Sequence, residues 1–258
     1  MLELLEFGLV HKYEFSAAIT VTGYLIVILS GYLLGSLNAG IIISKLAYRD
    51  DIRNHGSGGA GATNMLRTYG KSAAALTFFF DGFKTVIAVF IGIIFFGSSS
   101  DLVGVEGSMG LYVGIYVGLY AGPYIGGLAA IIGHAFPVYY KFKGGKSVAA
   151  TFFMVLCTEP VVAVACLLIF IAVVWWTKYV SVGSVMSVVV YPLILNRATG
   201  MGTHNLIAIF IMLLVAFLHR ENIKRVWAGK ENKISFKSKK KNKAGAEEPV
   251  PSQEEEEE

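Results

Sequence analysis

A glycine-rich run at residues 51–67 carries the side chains in this sequence that are best suited to hold an anion. Glycine accepts positive φ angles and lets successive backbone N–H groups turn toward a ligand. Two arginines supply positive charge, and hydroxyl and amide side chains supply further donors. We therefore predict a phosphate-binding turn with the candidate binding residues Arg53, Gly56, Ser57, Gly58, Gly61, Thr63, Asn64 and Arg67.

The same run partly matches a nucleotide-binding P-loop, because Gly56 and Gly61 have the required spacing. Ala62 stands where a P-loop has its lysine, and no strand-like segment precedes the turn, so the pattern disfavours nucleotide binding. A plain connecting turn between two helices is the other alternative. Two arginines and a Thr-Asn pair are more than such a turn requires.

A second glycine turn, Gly144-Gly145, immediately precedes Lys146 and follows His134 in the sequence. The glycine pair would let Lys146 and nearby backbone amides meet an anion at a helix N-terminus. Lysines at the edge of a membrane can also face lipid headgroups, which is the alternative for this turn. We predict that Lys146 binds substrate.

His219 and Asn222 lie one helical turn apart at the end of the last apolar segment. An imidazole with an amide beside it suits acyl transfer, so both are candidate catalytic residues. Two serines in apolar segments are further candidates, Ser36 for catalysis and Ser181 for substrate binding. Packing inside a helical bundle is the alternative for both serines.

These polar clusters are set in a chain with the composition of a membrane protein. Of its 258 residues 55% are hydrophobic and 16% are charged, and the mean hydropathy is +0.61. Long apolar runs without the alternation of barrel strands favour an all-α, polytopic membrane helix bundle. Cys157 and Cys166 lie in apolar sequence without a neighbouring histidine, so we expect neither a disulfide nor a metal site.

Seven apolar segments predict about seven transmembrane helices. They lie at residues 17–44, 72–97, 108–133, 148–157, 161–176, 180–195 and 204–218. Nineteen Lys and Arg residues flank one side and two the other, which predicts an N-terminus outside and a cytoplasmic C-terminus. The short fourth segment is expected either to extend back to Lys146 or to bend before Pro160. Asp81 and Lys84, within the second segment, are expected to form a structural ion pair.

The pattern divides the chain into three parts. Residues 1–16 are an extracytoplasmic N-terminal segment, 17–231 the membrane domain and 232–258 a cytoplasmic tail. The tail has a run of lysines followed by glutamates and few apolar residues, so we predict that it is disordered. The polar clusters all fall at the cytoplasmic ends of the predicted helices.

Together these motifs resemble those of the bacterial acyl-phosphate:glycerol-3-phosphate acyltransferase family. The resemblance covers residues 30–231 and rests on Gly35-Ser36, Asp51-Ile-Arg53-x-x-Gly-Ser-Gly-x-x-Gly-Ala-Thr-Asn-x-x-Arg67, Gly-His134-x-Phe-Pro with Phe-Lys-Gly-Gly-Lys146, and His219-Arg-x-Asn222-Ile-x-Arg225. The sequence departs from the family at two places: Gly59-Ala60 replaces the usual Asn-Pro, and Asn38 replaces a proline.

The resemblance implies a seven-helix enzyme of the inner (plasma) membrane with its active site on the cytoplasmic face. It would transfer a fatty acyl group from acyl phosphate to the 1-hydroxyl of glycerol 3-phosphate, without a cofactor or metal. The 56–64 turn would hold the phosphate of acyl phosphate, and the residues around glycerol 3-phosphate would be Ser36, Arg53, Lys146, His219 and Asn222. We expect a monomer that contacts membrane lipid and binds no nucleic acid.

Two other function classes remain open at this stage. A transporter of an organic phosphate would also use basic clusters and charges within the membrane. Against it, the sequence has no inverted repeat and no matching charged cluster on the outer side. A non-catalytic membrane scaffold would explain the apolar segments but not His219, Asn222 and the two glycine turns.

Overall fold

The computed structural model describes residues 8–9, 17–97, 121–200 and 203–234, and the regular structure in these ranges is helical. The α-helices, in chain order, are α1 (Ala17–Ser36), α2 (Ala39–Tyr48), α3 (Ala62–Tyr69), α4 (Lys71–Phe96), α5 (Gly122–Ala135), α6 (Val148–Thr158), α7 (Pro160–Thr177), α8 (Val180–Thr199), α9 (Thr203–Leu218) and α10 (Arg220–Trp227). Short 3-10 turns follow α2 and α5, at Ile52–Asn54 and Val138–Tyr140. The predicted all-α class is confirmed for the described residues.

Four helical units are long and apolar enough to cross a membrane: the Ala18–Tyr48 unit, α4, α7 and α8. The pair formed by α9 and α10 is a fifth candidate, bent by 54°. The predicted 148–157 segment corresponds to α6, whose 11 residues are too few to cross a hydrocarbon core of about 30 Å alone. The chain bends after α6 because Pro160 starts α7, which was one of the two expected arrangements.

Part of the predicted architecture lies outside the described residues. The segment 1–16 is described only at residues 8–9, the tail 232–258 only as far as 234, and the 108–133 helix only from residue 121. The total of seven spans and the orientation of the termini therefore stay predictions.

The first apolar segment is interrupted, although the sequence predicted one helix over 17–44. α1 ends at Ser36 and α2 begins at Ala39, and Asn38 between them is extended (φ −87°, ψ 106°). Such a break inside a bundle persists only where other parts of the protein bond the exposed backbone groups. Here Asp81 and Lys84 of α4 supply these partners, so the interruption is a tertiary feature that local sequence does not reveal.

Small residues let α5 approach α1 and α4 closely. A side chain added at Gly35 would meet the backbone of Ala130, and one added at Gly133 would meet the carbonyl of Tyr32. At Gly126 the obstacle would be the backbone of α4. Between membrane helices, van der Waals contact of close backbones is a main source of association. These glycines therefore fix the spacing of the three helices.

The second half of the bundle packs around an apolar core between α5, α6, α7, α8 and α9. Met154, Val162, Leu195 and Ile211 are all fully or almost fully buried there. Helix α7 is the most peripheral of the membrane-crossing candidates and presents exposed apolar side chains such as Leu168. An outward apolar face is what a lipid-facing helix needs, because lipid tails are its solvent.

Replacement of Gly35 by valine should destabilise the bundle by roughly 1–3 kcal/mol, because the added side chain meets the backbone of α5. Thermal unfolding in detergent measures this effect as a lower Tm. Leu29→Val is the matched control, because Leu29 lies in the same helix and is 59% exposed. Equal Tm values for the two variants would contradict the proposed close packing.

Candidate active site

A cavity of about 220 Å³ lies where the two glycine turns meet the start of α8 and the junction of α9 and α10. The predicted site residues that line it are Ser57, Gly61, Thr63, Asn64, Arg67, Lys146, Ser181, His219 and Asn222. Four predicted site residues do not line it: Ser36, Arg53, Gly56 and Gly58. The fold thus brings most of the predicted candidates to one place.

Four helices begin at this cavity. The first residues of α3, α6 and α8 line it, and so does Asn222 in the first turn of α10. In each of these four helices the N-cap residue makes no side-chain hydrogen bond to the first turn. Their N–H groups carry partial positive charge and lack helical partners, so the cavity suits an anion.

Asn64 holds the first glycine turn in shape. Its Nδ2 donates to the carbonyls of Ile52, His55 and Gly59 at 3.2, 2.9 and 2.8 Å. Its Oδ1 accepts the backbone N–H of Ser57 at 3.1 Å. Because the amide is already bonded at both ends, Asn64 shapes the cradle more than it offers a donor to a ligand.

The glycines of this turn have separate purposes. Gly56 and Gly58 have φ values of +55° and +70°, a region that strains other residues. Gly59, one of the departures from the family pattern, does not adopt this left-handed conformation and instead accepts the Asn64 amide through its carbonyl. Gly61 is the N-cap of α3, and the space beside its Cα is open. Ligand access is therefore favoured at Gly61.

Arg53 joins the first glycine turn to the lysine turn. Its guanidinium binds Asp51 at 2.6 Å and lies 3.4 and 3.5 Å from the carbonyls of Tyr140 and Lys143. The hydrogen bond from Arg53 lowers the pKa of Asp51 to about 2, so this pair stays ionised at neutral pH. Arg53 therefore braces the two turns in this structure.

The Gly144-Gly145 turn packs directly on His134. The N–H of Gly145 donates to the His134 carbonyl at 3.0 Å, and a side chain at Gly145 would strike the imidazole. This close approach directs Lys146 into the cavity, where its Nζ donates to Asn222 Oδ1 at 2.5 Å. Glycine is required here for lack of space.

Glu231, which was not among the predicted site residues, lines the same cavity. Its carboxylate accepts from Asn222 Nδ2 at 2.8 Å, from Ser181 Oγ at 3.3 Å and from Arg225 Nε at 2.8 Å. Since Lys146 donates to the other end of the Asn222 amide, that amide has one orientation. The sequence signal for this residue is Gly229, which follows α10 and adopts a φ of +66°, so that the chain can turn back toward the site.

Burial and neighbouring charges together determine which side chains in the cavity are ionised. Burial lowers the pKa of Lys146 to about 8, against the opposing charge of Glu231, while Arg225 and Arg67 lower it further. Burial also lowers the pKa of Arg67. Although burial alone would raise the pKa of Glu231, hydrogen bonds from Asn222 and Arg225 bring it below its usual value. At neutral pH the cations Lys146 and Arg67 therefore lie near the carboxylate of Glu231 in this part of the cavity.

His219 is buried at the junction between α9 and α10. Its Nδ1 lies 2.9 Å from the carbonyl of Val215, which can only accept, so Nδ1 carries the hydrogen and Nε2 keeps its lone pair. Burial and the nearby charge of Lys146 lower the pKa of His219 to about 4. The imidazole is therefore neutral and can accept a hydrogen bond.

Ser36 bonds within the protein. Its Oγ donates to the carbonyl of Tyr32 at 2.8 Å and accepts the N–H of Val138 at 3.4 Å. The cavity walls also include Ser184, Asp81 and His134, which were not among the predicted site residues. The ion pair expected between Asp81 and Lys84 is present, with 2.8 Å between Oδ1 and Nζ.

A second, apolar cavity of about 120 Å³ adjoins the first and shares Phe78, Val148 and Phe170 with it. Its remaining walls come from α6, α7 and α8 and include Val155, Ala163, Cys166, Leu167 and Tyr191. The two cavities together place an anion-binding compartment beside an apolar one. An amphiphilic molecule with an anionic head would match both.

Comparison with known proteins agrees with this geometry. Residues 25–229 match the model of the glycerol-3-phosphate acyltransferase family. A glycerol-3-phosphate acyltransferase of Finegoldia magna is 40% identical over 82% of this chain and 98% of its own, and one of Thermoanaerobacter pseudethanolicus is 39% identical over 80% and 93%. The crystal structure of PlsY, an integral membrane glycerol 3-phosphate acyltransferase in its glycerol 3-phosphate form, is similar with a TM-score of 0.70. It is 34% identical and covers 82% of this chain and 96% of that one.

Substitution of Glu231 by glutamine should shift the pH range over which the cavity binds inorganic phosphate. The carboxylate favours the charged form of Lys146, so its removal should lower the lysine pKa below about 8. As the pH rises, phosphate binding should then be lost at a lower pH than in the wild-type protein. Calorimetric titration with phosphate between neutral and alkaline pH measures the midpoint. Glu221→Gln, an exposed change in α10, should leave the midpoint in place. An unshifted midpoint in Glu231→Gln would contradict this electrostatic coupling.

Proposed function

The chain belongs to the glycerol-3-phosphate acyltransferase family, and we propose that it transfers a fatty acyl group from acyl phosphate to the sn-1 hydroxyl of glycerol 3-phosphate. The products are 1-acylglycerol 3-phosphate (lysophosphatidic acid) and inorganic phosphate, in the first step of phospholipid synthesis. The observation that carries the proposal is the pair of adjoining cavities, one anion-binding and one apolar. Acyl phosphate has the same two parts in one molecule.

The donor phosphate is assigned to the first glycine turn and the start of α3. Gly61, Ala62 and Thr63 line the cavity there, and the α3 N-terminus lacks a side-chain cap. Backbone N–H groups at such a helix start bind phosphate without added charge. Arg67, one turn further along α3, supplies a cation to the same region.

Glycerol 3-phosphate is assigned to the opposite wall, with Lys146, Ser181 and Asn222. The ammonium of Lys146 contacts only a neutral amide oxygen in the described structure, which an anionic substrate can replace. Ser36 and Arg53 support this wall from behind in the structure, so we assign both to positioning. The acyl chain of the donor would occupy the apolar cavity beside Phe78, Val148 and Phe170.

The reaction needs one new bond and one proton transfer. The sn-1 hydroxyl oxygen attacks the acyl carbon, the bond from that carbon to the phosphate oxygen breaks, and the hydroxyl proton leaves. His219, with its pKa lowered to about 4, is a weaker base than a phosphate dianion, whose conjugate acid has a pKa of about 6. We assign the proton to the departing phosphate and the orientation of the hydroxyl to His219 Nε2.

No covalent enzyme intermediate is needed, because acyl phosphate is an activated anhydride. The protein's contribution is to place two anions side by side and to neutralise their charge. Helix N-termini, Lys146 and Arg67 do this in a buried space, where such interactions are stronger than in water. Because basic residues cluster in the segments that form the cavity, and such segments favour the cytoplasmic side, we assign the site to the cytoplasmic face of the plasma membrane. We expect the monomer to be sufficient.

Purified protein in detergent should release phosphate from palmitoyl phosphate only when glycerol 3-phosphate is present, with lysophosphatidate as the lipid product. Lys146→Ala and His219→Ala should each reduce turnover by about 100-fold or more, because each removes a group that contacts a substrate. Lys224→Ala is the matched control, because Lys224 is exposed and pairs with Glu221 outside the cavity.

Folding of each variant is checked by thermal unfolding in the same detergent. A folded wild-type protein that releases no phosphate would refute the transferase, and liposome uptake of glycerol 3-phosphate would then test the transporter alternative. Near-normal turnover in folded Lys146→Ala or His219→Ala would refute the assigned roles.

Substitution of Ala163 by phenylalanine should shift activity toward shorter acyl phosphates, because the added ring fills the apolar cavity from α7. Rates with a series of acyl phosphates of increasing chain length measure the preference. The matched control is Leu168→Phe, on the exposed face of the same helix, which should leave the preference unchanged. An unaltered chain-length profile in folded Ala163→Phe would show that the acyl chain does not occupy this cavity.

A further inference from the structure

Three buried, titratable side chains contact one another beside the cavity, and two of them, Asp81 and His134, line it. Asp81 and Lys84 lie one turn apart in α4, and His134 lies in the last turn of α5, and they are only 2%, 6% and 3% exposed. Lys84 Nζ lies 2.8 Å from Asp81 Oδ1 and 3.0 Å from His134 Nδ1. Asp81 Oδ1 is 3.4 Å from the same ring nitrogen. Ionised groups within a membrane bundle are costly, which makes this cluster a candidate for function.

The Asp81–Lys84 pair bonds both sides of the break between α1 and α2. Lys84 Nζ donates to the carbonyls of Gly35 and Leu37 at 2.9 and 2.8 Å, at the end of α1. Asp81 Oδ1 accepts the N–H of Ala39 at 3.2 Å, at the start of α2. A cation at a helix C-terminus and an anion at an N-terminus both match the helix dipoles. One ion pair thus replaces the backbone hydrogen bonds that the break removes.

His134 connects this break to the lysine turn. Its carbonyl accepts from Asn38 Nδ2 at 3.3 Å, within the break, and from the N–H of Gly145 at 3.0 Å, beside Lys146. Its imidazole fills the space next to the Gly145 Cα. The ring therefore has the ion pair on one side and the lysine turn on the other.

Two further hydrogen bonds hold the end of α1 against the turn after α5. Tyr32 Oη donates to the carbonyl of Phe136 at 2.8 Å, and the N–H of Val138 donates to Ser36 Oγ at 3.4 Å. These contacts fix the break and the lysine turn as one rigid region. A displacement of either part would therefore move Lys146 relative to the other cavity walls.

We propose that Asp81, Lys84 and His134 are positioning residues that hold Lys146 Nζ at the place where it meets glycerol 3-phosphate. The inference rests on the proposed function, because it concerns the acceptor side of that site. It predicts a selective defect: loss of the His134 ring should disturb the lysine turn, while the first glycine turn, held by Asn64, stays formed. Use of the acceptor should then suffer more than use of the donor.

The test measures kcat and the KM of each substrate for His134→Gln. We expect the KM for glycerol 3-phosphate to rise about 10- to 100-fold, as small misplacements of binding groups do, with little change for palmitoyl phosphate. A second variant combines Asp81→Asn with Lys84→Gln, which removes both charges and leaves neither unpaired. Its glycerol 3-phosphate KM should also rise, while Thr77→Val, a buried change elsewhere in α4, should behave as wild type.

Calorimetric binding of glycerol 3-phosphate, the substrate assigned to Lys146, gives a readout that does not depend on turnover. Weaker glycerol 3-phosphate binding by folded His134→Gln, with a wild-type Tm, would support the positioning role. Wild-type glycerol 3-phosphate binding or an unchanged glycerol 3-phosphate KM would overturn it. Equal losses for both substrates that follow the loss of folded protein would also overturn it. If His134→Gln does not fold, the double variant decides by the same criteria. A wild-type protein that binds glycerol 3-phosphate but transfers no acyl group would instead refute the proposed function.

Discussion

The first N–H groups of a helix need hydrogen-bond partners, and this site depends on that constraint. A membrane bundle offers little water to such groups, and those left without partners destabilise the fold. In this protein α3, α6, α8 and α10 all begin at one cavity without side-chain caps. An anion would satisfy several of these groups together. The glycine turns before α3 and α6 follow from the same constraint, because only a compact backbone leaves room beside the helix starts.

Anion binding also requires cations, and the repulsion between neighbouring cations must be reduced for them to stay charged and in place. Arg67 and Arg225 are both close enough to Lys146 to lower its pKa. Glu231 reduces this repulsion, but it bonds Arg225 and Asn222 and leaves Lys146 in contact with a neutral oxygen. A direct ion pair to Lys146 would hold the ammonium more firmly and would compete with substrate. The arrangement therefore keeps the lysine charged near neutral pH and available to a ligand.

Residue types and spacing predicted the glycine turns, Lys146, His219 and Asn222, because their chemistry is visible in the sequence. They did not predict which polar atoms are already bonded within the protein. Asn64 and Arg53, which were predicted to bind substrate, also bond backbone carbonyls of neighbouring loops, and such carbonyls have no signal in the sequence. The break at Asn38 depends on Lys84, 47 residues beyond Leu37, and so no local pattern marked it.

If the protein uses the proposed acyl phosphate, the meeting of the two cavities would set the position of the reacting carbon. Phe78, Val148 and Phe170 belong to both, so they mark the boundary between the anion-binding and apolar compartments. In an acyl phosphate the carbonyl lies between the phosphate and the chain, so anchoring both ends would place it at this boundary. Val148 is also the first residue of α6, two positions after Lys146. The same short segment would then position the acyl carbon and the cation that binds the acceptor, and a shift of the lysine turn would alter their separation directly.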